Sequence, residues 1–174
     1  MADSPSGPRE VFRGRRLWVE TLERDGHTFE LVRGPSAVAV VALTRDGELI
    51  LVRQYRPAIG QDLIEIPAGL LDVPGEPAEA CAERELLEET GYRASSPRWL
   101  GRFFSSAGMA DEAFEVFVCG ADLDPAAVLD GEVDDVALVP WFEALERARA
   151  GGFADSKTNL AILLADAAGI APSR

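Results

Sequence analysis

The chain has 174 residues, 47% of them hydrophobic, and 17 Lys+Arg against 30 Asp+Glu give a formal net charge of −13. That length fits one domain able to bury a core of its own. The acidic balance argues against a nucleic-acid binder, which needs a basic footprint, and no apolar run approaches the ~18–20 residues of a membrane span.

Residues 1–10, with Pro5, Gly7 and Pro8, read as a flexible tail ahead of a single domain over 11–174. Residues 16–23 alternate and predict a strand, Asp25-Gly26 a hairpin turn, and 27–33 the return strand. The unbroken apolar run 37–43 predicts a buried strand, turned by Arg45-Asp46-Gly47 into a partner over 48–53. A loop follows over 54–61, then a short strand over 63–66 that stops at Pro67. The strongest helix spans 77–90, with Pro77 at its start and Gly91 as its stop. Strands are expected over 99–104, 115–118 and 136–139, with a polar loop at 105–112. Helices are expected over 141–150 and 158–168, parted by Gly151-Gly152, and the order is that of an α+β fold with a mixed sheet. Trp99, Phe103, Trp141 and Phe142 read as core.

Cys81 and Cys119 make neither a disulfide framework nor a zinc site. A single histidine, His27, leaves no His-rich metal site and no support for a Ser-His-Asp triad. The first residues, Met1-Ala2-Asp3-Ser4-Pro5, lack the basic and apolar regions of a secretory signal. The expected setting is soluble and cytoplasmic, with chemistry that runs on carboxylates.

The central helix carries them. Glu85 and Glu89 are four apart and Glu88 is three from Glu85, so all three share one arc of the helix. Like charges at this spacing repel, and they sit near the C-terminal end, where the helix dipole disfavours them. A divalent cation reverses that penalty, and oxygen-only ligands select a hard ion such as Mg²⁺ or Mn²⁺. Arg84 lies among the acids and can orient them by charge-assisted hydrogen bonds. The alternative is a solvated acidic face. Against it stands the Gly-containing segment Ala68-Gly69-Leu70-Leu71-Asp72-Val73-Pro74-Gly75-Glu76, which leads straight into the helix.

Gly69, Glu76 and Arg84-Glu85-Leu86-Leu87-Glu88-Glu89-Thr90-Gly91-Tyr92 resemble the Nudix box, G-x5-E-x7-R-E-U-x-E-E-x-G-U, where U is bulky and apolar. One departure is that six residues, not five, separate Gly69 from Glu76; the helix register is untouched. Leu51-Val52-Arg53-Gln54-Tyr55-Arg56, Glu65-Ile66-Pro67-Ala68-Gly69, Ser106-Ala107-Gly108-Met109-Ala110-Asp111-Glu112 and Asp155-Ser156-Lys157-Thr158 resemble segments of the ADP-ribose pyrophosphatase subfamily. The resemblance implies an α/β/α sandwich around a mixed sheet, with an N-terminal antiparallel sheet, near 16–33, that helps build a homodimer. It implies Mg²⁺- or Mn²⁺-dependent hydrolysis of a nucleoside diphosphate sugar, with ADP-ribose going to AMP and ribose 5-phosphate. No nucleic acid or membrane partner is expected. Two alternatives stand: another substrate (a different nucleoside diphosphate sugar, NADH or a dinucleoside polyphosphate), or a non-catalytic nucleotide-binding regulatory module.

Residue by residue, Glu85 and Glu89 are expected as metal ligands, with Glu88 next and the Ala68 carbonyl added by the resemblance. Glu76 is read either as support for the site from the helix start or as a simple partner of the helix dipole, and Arg84 is expected to orient the carboxylates. The subfamily draws its general base from a later loop, which points to Glu132, with Asp130 two residues earlier. Arg56 is expected on the substrate diphosphate, Arg53 is left open, and Glu112 and Met109 belong to the expected substrate loop. Trp18 and Phe29 are read either as strand core or as an adenine stack. Arg13, Arg15 and Arg16 read as a solvated basic patch, and His27 as exposed.

Overall fold

A computed structural model describes residues 7–131 and 133–170. Ten strands and three helices run in the order β1 (Arg9–Arg13), β2 (Trp18–Arg24), β3 (His27–Arg33), β4 (Ala37–Thr44), β5 (Glu48–Arg56), β6 (Gln61–Glu65), β7 (Ala68–Leu70), α1 (Ala78–Thr90), β8 (Tyr92–Phe104), β9 (Ala113–Leu123), β10 (Asp135–Pro140), α2 (Trp141–Arg149) and α3 (Ser156–Ala167) among the described residues. β1, β2 and β3 form a separate antiparallel sheet. The larger sheet has the order β10-β5-β4-β9-β8, with β6 added on β5 and β7 on β4. β4 and β9 are parallel and the other pairs antiparallel, so the sheet is mixed as expected.

The run in β4 is apolar at every position because both its faces are covered. Ala39 and Val41 face α2 and α3, packing with Leu49, Leu51, Val116, Trp141, Leu145 and Ile162. Val38, Val40 and Ala42 face α1, packing with Ile50, Leu86, Phe117 and Cys119. The period-two alternation of strand side chains thus makes two cores, one on each side of the sheet, and the α/β/α sandwich follows. Asp25 and Gly26 both take positive φ, 52° and 77°, as the tight β2–β3 turn demands. No helix among the described residues is long and apolar enough to cross a membrane.

Several elements differ from the sequence reading. Arg9 and Glu10, placed in the tail, belong to β1 and pair with Thr21 and Glu20. The loop expected over 54–61 is mostly hairpin: β5 runs on to Arg56, which pairs with Gln61 at the start of β6. β7 was too short to carry a pattern. β8 starts at Tyr92 rather than Trp99, and its bulges between Ser95 and Arg98 and between Trp99 and Gly101 break the alternation that marks a strand. Trp99 and Phe142 are exposed, not core, at 55% and 52%. The Trp99 indole instead donates to Glu115 at 2.9 Å. Trp141 is buried, and Phe103 packs at the core edge against Phe114.

Candidate functional site: an acidic cleft beside the central helix

Helix α1 starts after Pro77 and ends at Gly91, whose φ of 77° allows its N–H to reach the Leu87 carbonyl at 2.9 Å. Its inner face is apolar, with Cys81, Ala82 and Leu86 fully buried against the sheet. Glu85 and Glu88 therefore turn toward a cleft of about 520 Å³ between α1, β7, the β5–β6 hairpin and the start of α3.

Arg84 organises the acids. Its Nε and Nη2 grip Glu76 as a fork, both at 2.9 Å, and its Nη1 donates to Glu85 at 2.8 Å and to Glu88 at 3.0 Å. Glu76 is held below the usual carboxylate range mainly by this fork, and its partner Arg84 is held above its ordinary value. These contacts join the residues expected as orienter and support. Glu89 lies deeper, 2% exposed, and its Oε2 accepts from the Ala68 N–H at 3.1 Å. Burial pushes its carboxyl up to about 8, opposed by that hydrogen bond and reinforced by the charges of Glu85 and Asp130.

Gly69 has a steric reason. A Cβ added there would lie 1.8 Å from Glu85 Cδ and 2.2 Å from each carboxylate oxygen. The Glu85 carboxylate occupies the space a side chain would fill. Gly75 takes a positive φ, 81°, in the turn that leads into the helix.

The opposite wall is built by pairing. Glu65, 1% exposed, receives Arg56 through Nε at 2.8 Å and Nη2 at 2.6 Å, and also receives Lys157. Burial works against the Glu65 carboxylate, yet the Arg56 and Lys157 contacts overcome it and hold the group below its ordinary value. Lys157 also pairs with Asp155 at 3.0 Å. Asp155 caps α3 by accepting from the Thr158 N–H at 2.9 Å, and the Thr158 hydroxyl accepts from the Ile66 N–H at 3.0 Å. The bidentate fork expected of Arg56 toward a diphosphate is therefore spent on Glu65, which leaves its Nη1 edge for the cleft.

Other expected residues divide. Arg56, Ala68, Gly69, Arg84, Glu85, Glu88, Glu112 and Asp130 line the cleft. Glu112 accepts from the Ser105 hydroxyl at 2.6 Å, and the Asp130 N–H donates to the Glu88 carbonyl at 3.0 Å. Glu132 falls outside the described residues. Arg53 instead faces Asp62 at 3.8 Å. Met109 lines a separate hollow with Leu31, Arg33 and Phe104. Trp18 donates to Glu20 at 3.1 Å under the Arg13 guanidinium, Phe29 is 44% exposed on β3, and neither lines the cleft. Residues to which sequence reasoning gave no role at the site are Glu65 and Lys157, ninety-two positions apart, and the exposed Arg16, which lines the cleft from the β1–β2 turn. Only the apolar context of Glu65, between Ile64 and Ile66, hinted at a buried acid.

For a divalent cation the donor chemistry fits. Glu85, Glu88, Glu89 and Asp130 offer hard oxygen atoms, the donor type of Mg²⁺ or Mn²⁺. Among the described residues no three acids converge as a ligand set in the arrangement seen. Arg84 holds Glu85 and Glu88, and the Ala68 amide holds Glu89.

An acidic helix face oriented by one arginine thus borders the cleft. The NUDIX domain family matches residues 33–158, more than half of the chain, and the protein belongs to that family, whose hydrolases are generally dependent on divalent metals. Among curated relatives, the chain is 38% identical to a methanol dehydrogenase activator of Bacillus methanolicus and 37% identical to an ADP-ribose pyrophosphatase of Bacillus subtilis. Each match covers 88% of this chain and 86% of the relative. It is 33% identical to a GDP-mannose pyrophosphatase of Cronobacter sakazakii, over 84% of this chain and 83% of that protein. The fold matches a crystal structure described as an ADP compounds hydrolase, with TM-score 0.75 and 23% identity, over 95% of this chain and 96% of that one.

Proposed function

We propose that the protein hydrolyses the diphosphate of ADP-ribose or a related ADP-sugar, releasing AMP and, from ADP-ribose, ribose 5-phosphate. One observation carries this reading: Glu85 and Glu88 of α1, with Glu89 buried behind them, border a cleft whose other wall presents Arg56. The relation to an ADP-ribose pyrophosphatase over most of both chains supports the substrate. A bound Mg²⁺ or Mn²⁺ would neutralise phosphate oxygens and lower the pKa of the attacking water. Glu85, Glu88, Glu89 and the Ala68 carbonyl would hold it. Arg84 keeps the carboxylates aimed, and the Arg56 Nη1 edge binds the diphosphate. Glu132, or Asp130 at the cleft, takes the proton from water as it attacks phosphorus and the P–O bond to the leaving phosphate breaks. Glu112 contacts the ribose or phosphate end.

The similarity to a GDP-mannose pyrophosphatase supports a second reading, hydrolysis of another nucleoside diphosphate sugar. The relative named an activator raises the question of a regulatory module, but the full acid set favours an enzyme. Exposed Val11, Phe12 and Phe29 on the N-terminal sheet support a homodimer, with Trp18 and Phe29 then available to a neighbouring site. Light scattering giving a monomer would remove that part. The main test is a hydrolysis screen with Mg²⁺ or Mn²⁺ on ADP-ribose, ADP-glucose, GDP-mannose, NADH and diadenosine polyphosphates, with products separated by chromatography. Preferred conversion of ADP-ribose to AMP and ribose 5-phosphate is expected. Preferred turnover of a GDP-sugar would transfer the assignment to the second reading. No turnover, with nucleotide bound tightly, would make the chain a binding module.

A further inference from the structure

Four cations line the cleft: Arg16, Arg56, Arg84 and Lys157. Arg84 is committed to Glu76, Glu85 and Glu88, Lys157 to Glu65 and Asp155, and the fork of Arg56 to Glu65. Arg16 alone has no acidic partner among the described residues. Its placement is built into the fold. Gly14 donates its N–H to the Leu17 carbonyl at 2.8 Å, which closes a turn with Arg15 and Arg16 at its tip. Strand β3 ties the N-terminal sheet to the loop before β9: Val32 donates to the Met109 carbonyl at 2.7 Å, Asp111 donates to the Val32 carbonyl at 3.2 Å, and Arg33 bridges Glu20 and Asp111. That same loop brings Ser105 and Glu112 to the cleft. An acidic cleft that must take an anionic diphosphate has uncommitted positive charge at few places, and the tip of this turn is one.

We propose that Arg16 is a diphosphate-binding residue of the cleft, supplied in cis by the N-terminal sheet; this rests on reading the cleft as a nucleoside diphosphate site. Arg16 lies outside the residues matched to the family. Arg56 meets the diphosphate from the sheet side and Arg16 from the turn.

The test is steady-state kinetics on ADP-ribose for the wild type, R16A, R16K and R15A, at low and high salt. All three variants alter exposed side chains of one turn, so folding is unaffected. R16A is expected to raise KM about tenfold with kcat within about twofold, as for a lost charge-assisted hydrogen bond that serves binding. R16K should recover most of the loss and R15A should match the wild type. The salt dependence of KM should weaken in R16A, because one screened attraction is gone. A KM for R16A within about twofold of wild type, or an equal shift in R15A, would overturn the assignment. If the wild type turns over no nucleoside diphosphate sugar, the hydrolase reading fails separately. Calorimetric binding of ADP and of adenosine then decides on Arg16. Weakened ADP binding in R16A with adenosine unchanged supports it; equal ADP affinities, or equal weakening of both ligands, overturn it.

Discussion

The two walls of the cleft hold charge in opposite ways. On the α1 side, Arg84 pairs with Glu76, Glu85 and Glu88, while the buried Glu89 accepts from the Ala68 amide. On the wall of β5, β6 and α3, Glu65 and Asp155 meet Arg56 and Lys157, two acids against two bases. The balanced wall is complete by itself and serves as scaffold. The unbalanced wall carries repulsion that a cation would relieve, and it is the wall to which the proposed chemistry is assigned. Folding alone would never select such an excess.

Changes to the unbalanced wall should therefore hit chemistry hardest. Glu89→Gln removes a proposed metal ligand while keeping shape, and kcat is expected to fall ~10³-fold, about 4 kcal/mol of transition-state stabilisation. Retained activity and metal affinity would break the assignment of that wall. Gly69→Ala forces the Glu85 carboxylate out of its place. A loss of ~10²-fold in metal affinity is expected by titration calorimetry, with the fold intact by circular dichroism. In the later loop, Glu132→Gln and Asp130→Asn separate the two candidate bases. The true base should cost at least about tenfold in kcat and flatten the alkaline or acid limb of the pH profile.

The balanced wall predicts smaller effects of another kind. Glu65→Gln should raise KM about tenfold with little change in kcat, since Arg56 loses its anchor but the acids of α1 stay in place. Its stability cost should depend on pH. Glu65 is held below its ordinary value in the folded chain, so its contribution is present above the unfolded value and is lost as pH falls through the folded one. The gap in Tm between wild type and Glu65→Gln should thus be widest near neutrality and close in acid. A gap that stays constant would mean the carboxylate is not what holds the pair.

The two walls were also unequally legible in the sequence. The acidic face of α1 follows from residues three and four apart, which share a face whenever a helix forms. Pro77 and Gly91 fixed its ends, and the apolar residues between fixed the buried side. The second wall joins Glu65 to Lys157 across most of the chain, and no local pattern encodes a pairing made only by tertiary packing. Trp99 shows the same limit. Its composition suggests core, but a bulge in β8 turns it outward to Glu115. Arg16 is exposed, as read, but nothing in the sequence tells that its turn tip borders the cleft.

One feature of α1 offers a way to watch it move. Cys81 is fully buried on the inner face of the helix, its thiol donates to the Leu70 carbonyl at 3.4 Å, and burial pushes it up to about 12. A thiol-specific reagent at neutral pH therefore meets an inert, shielded sulfur while the helix stays docked. The rate of labelling becomes a clock for the opening of α1 from the sheet. Nucleotide and metal that brace the acidic face should slow that clock, and Cys119, buried on β9, supplies a second one in the sheet.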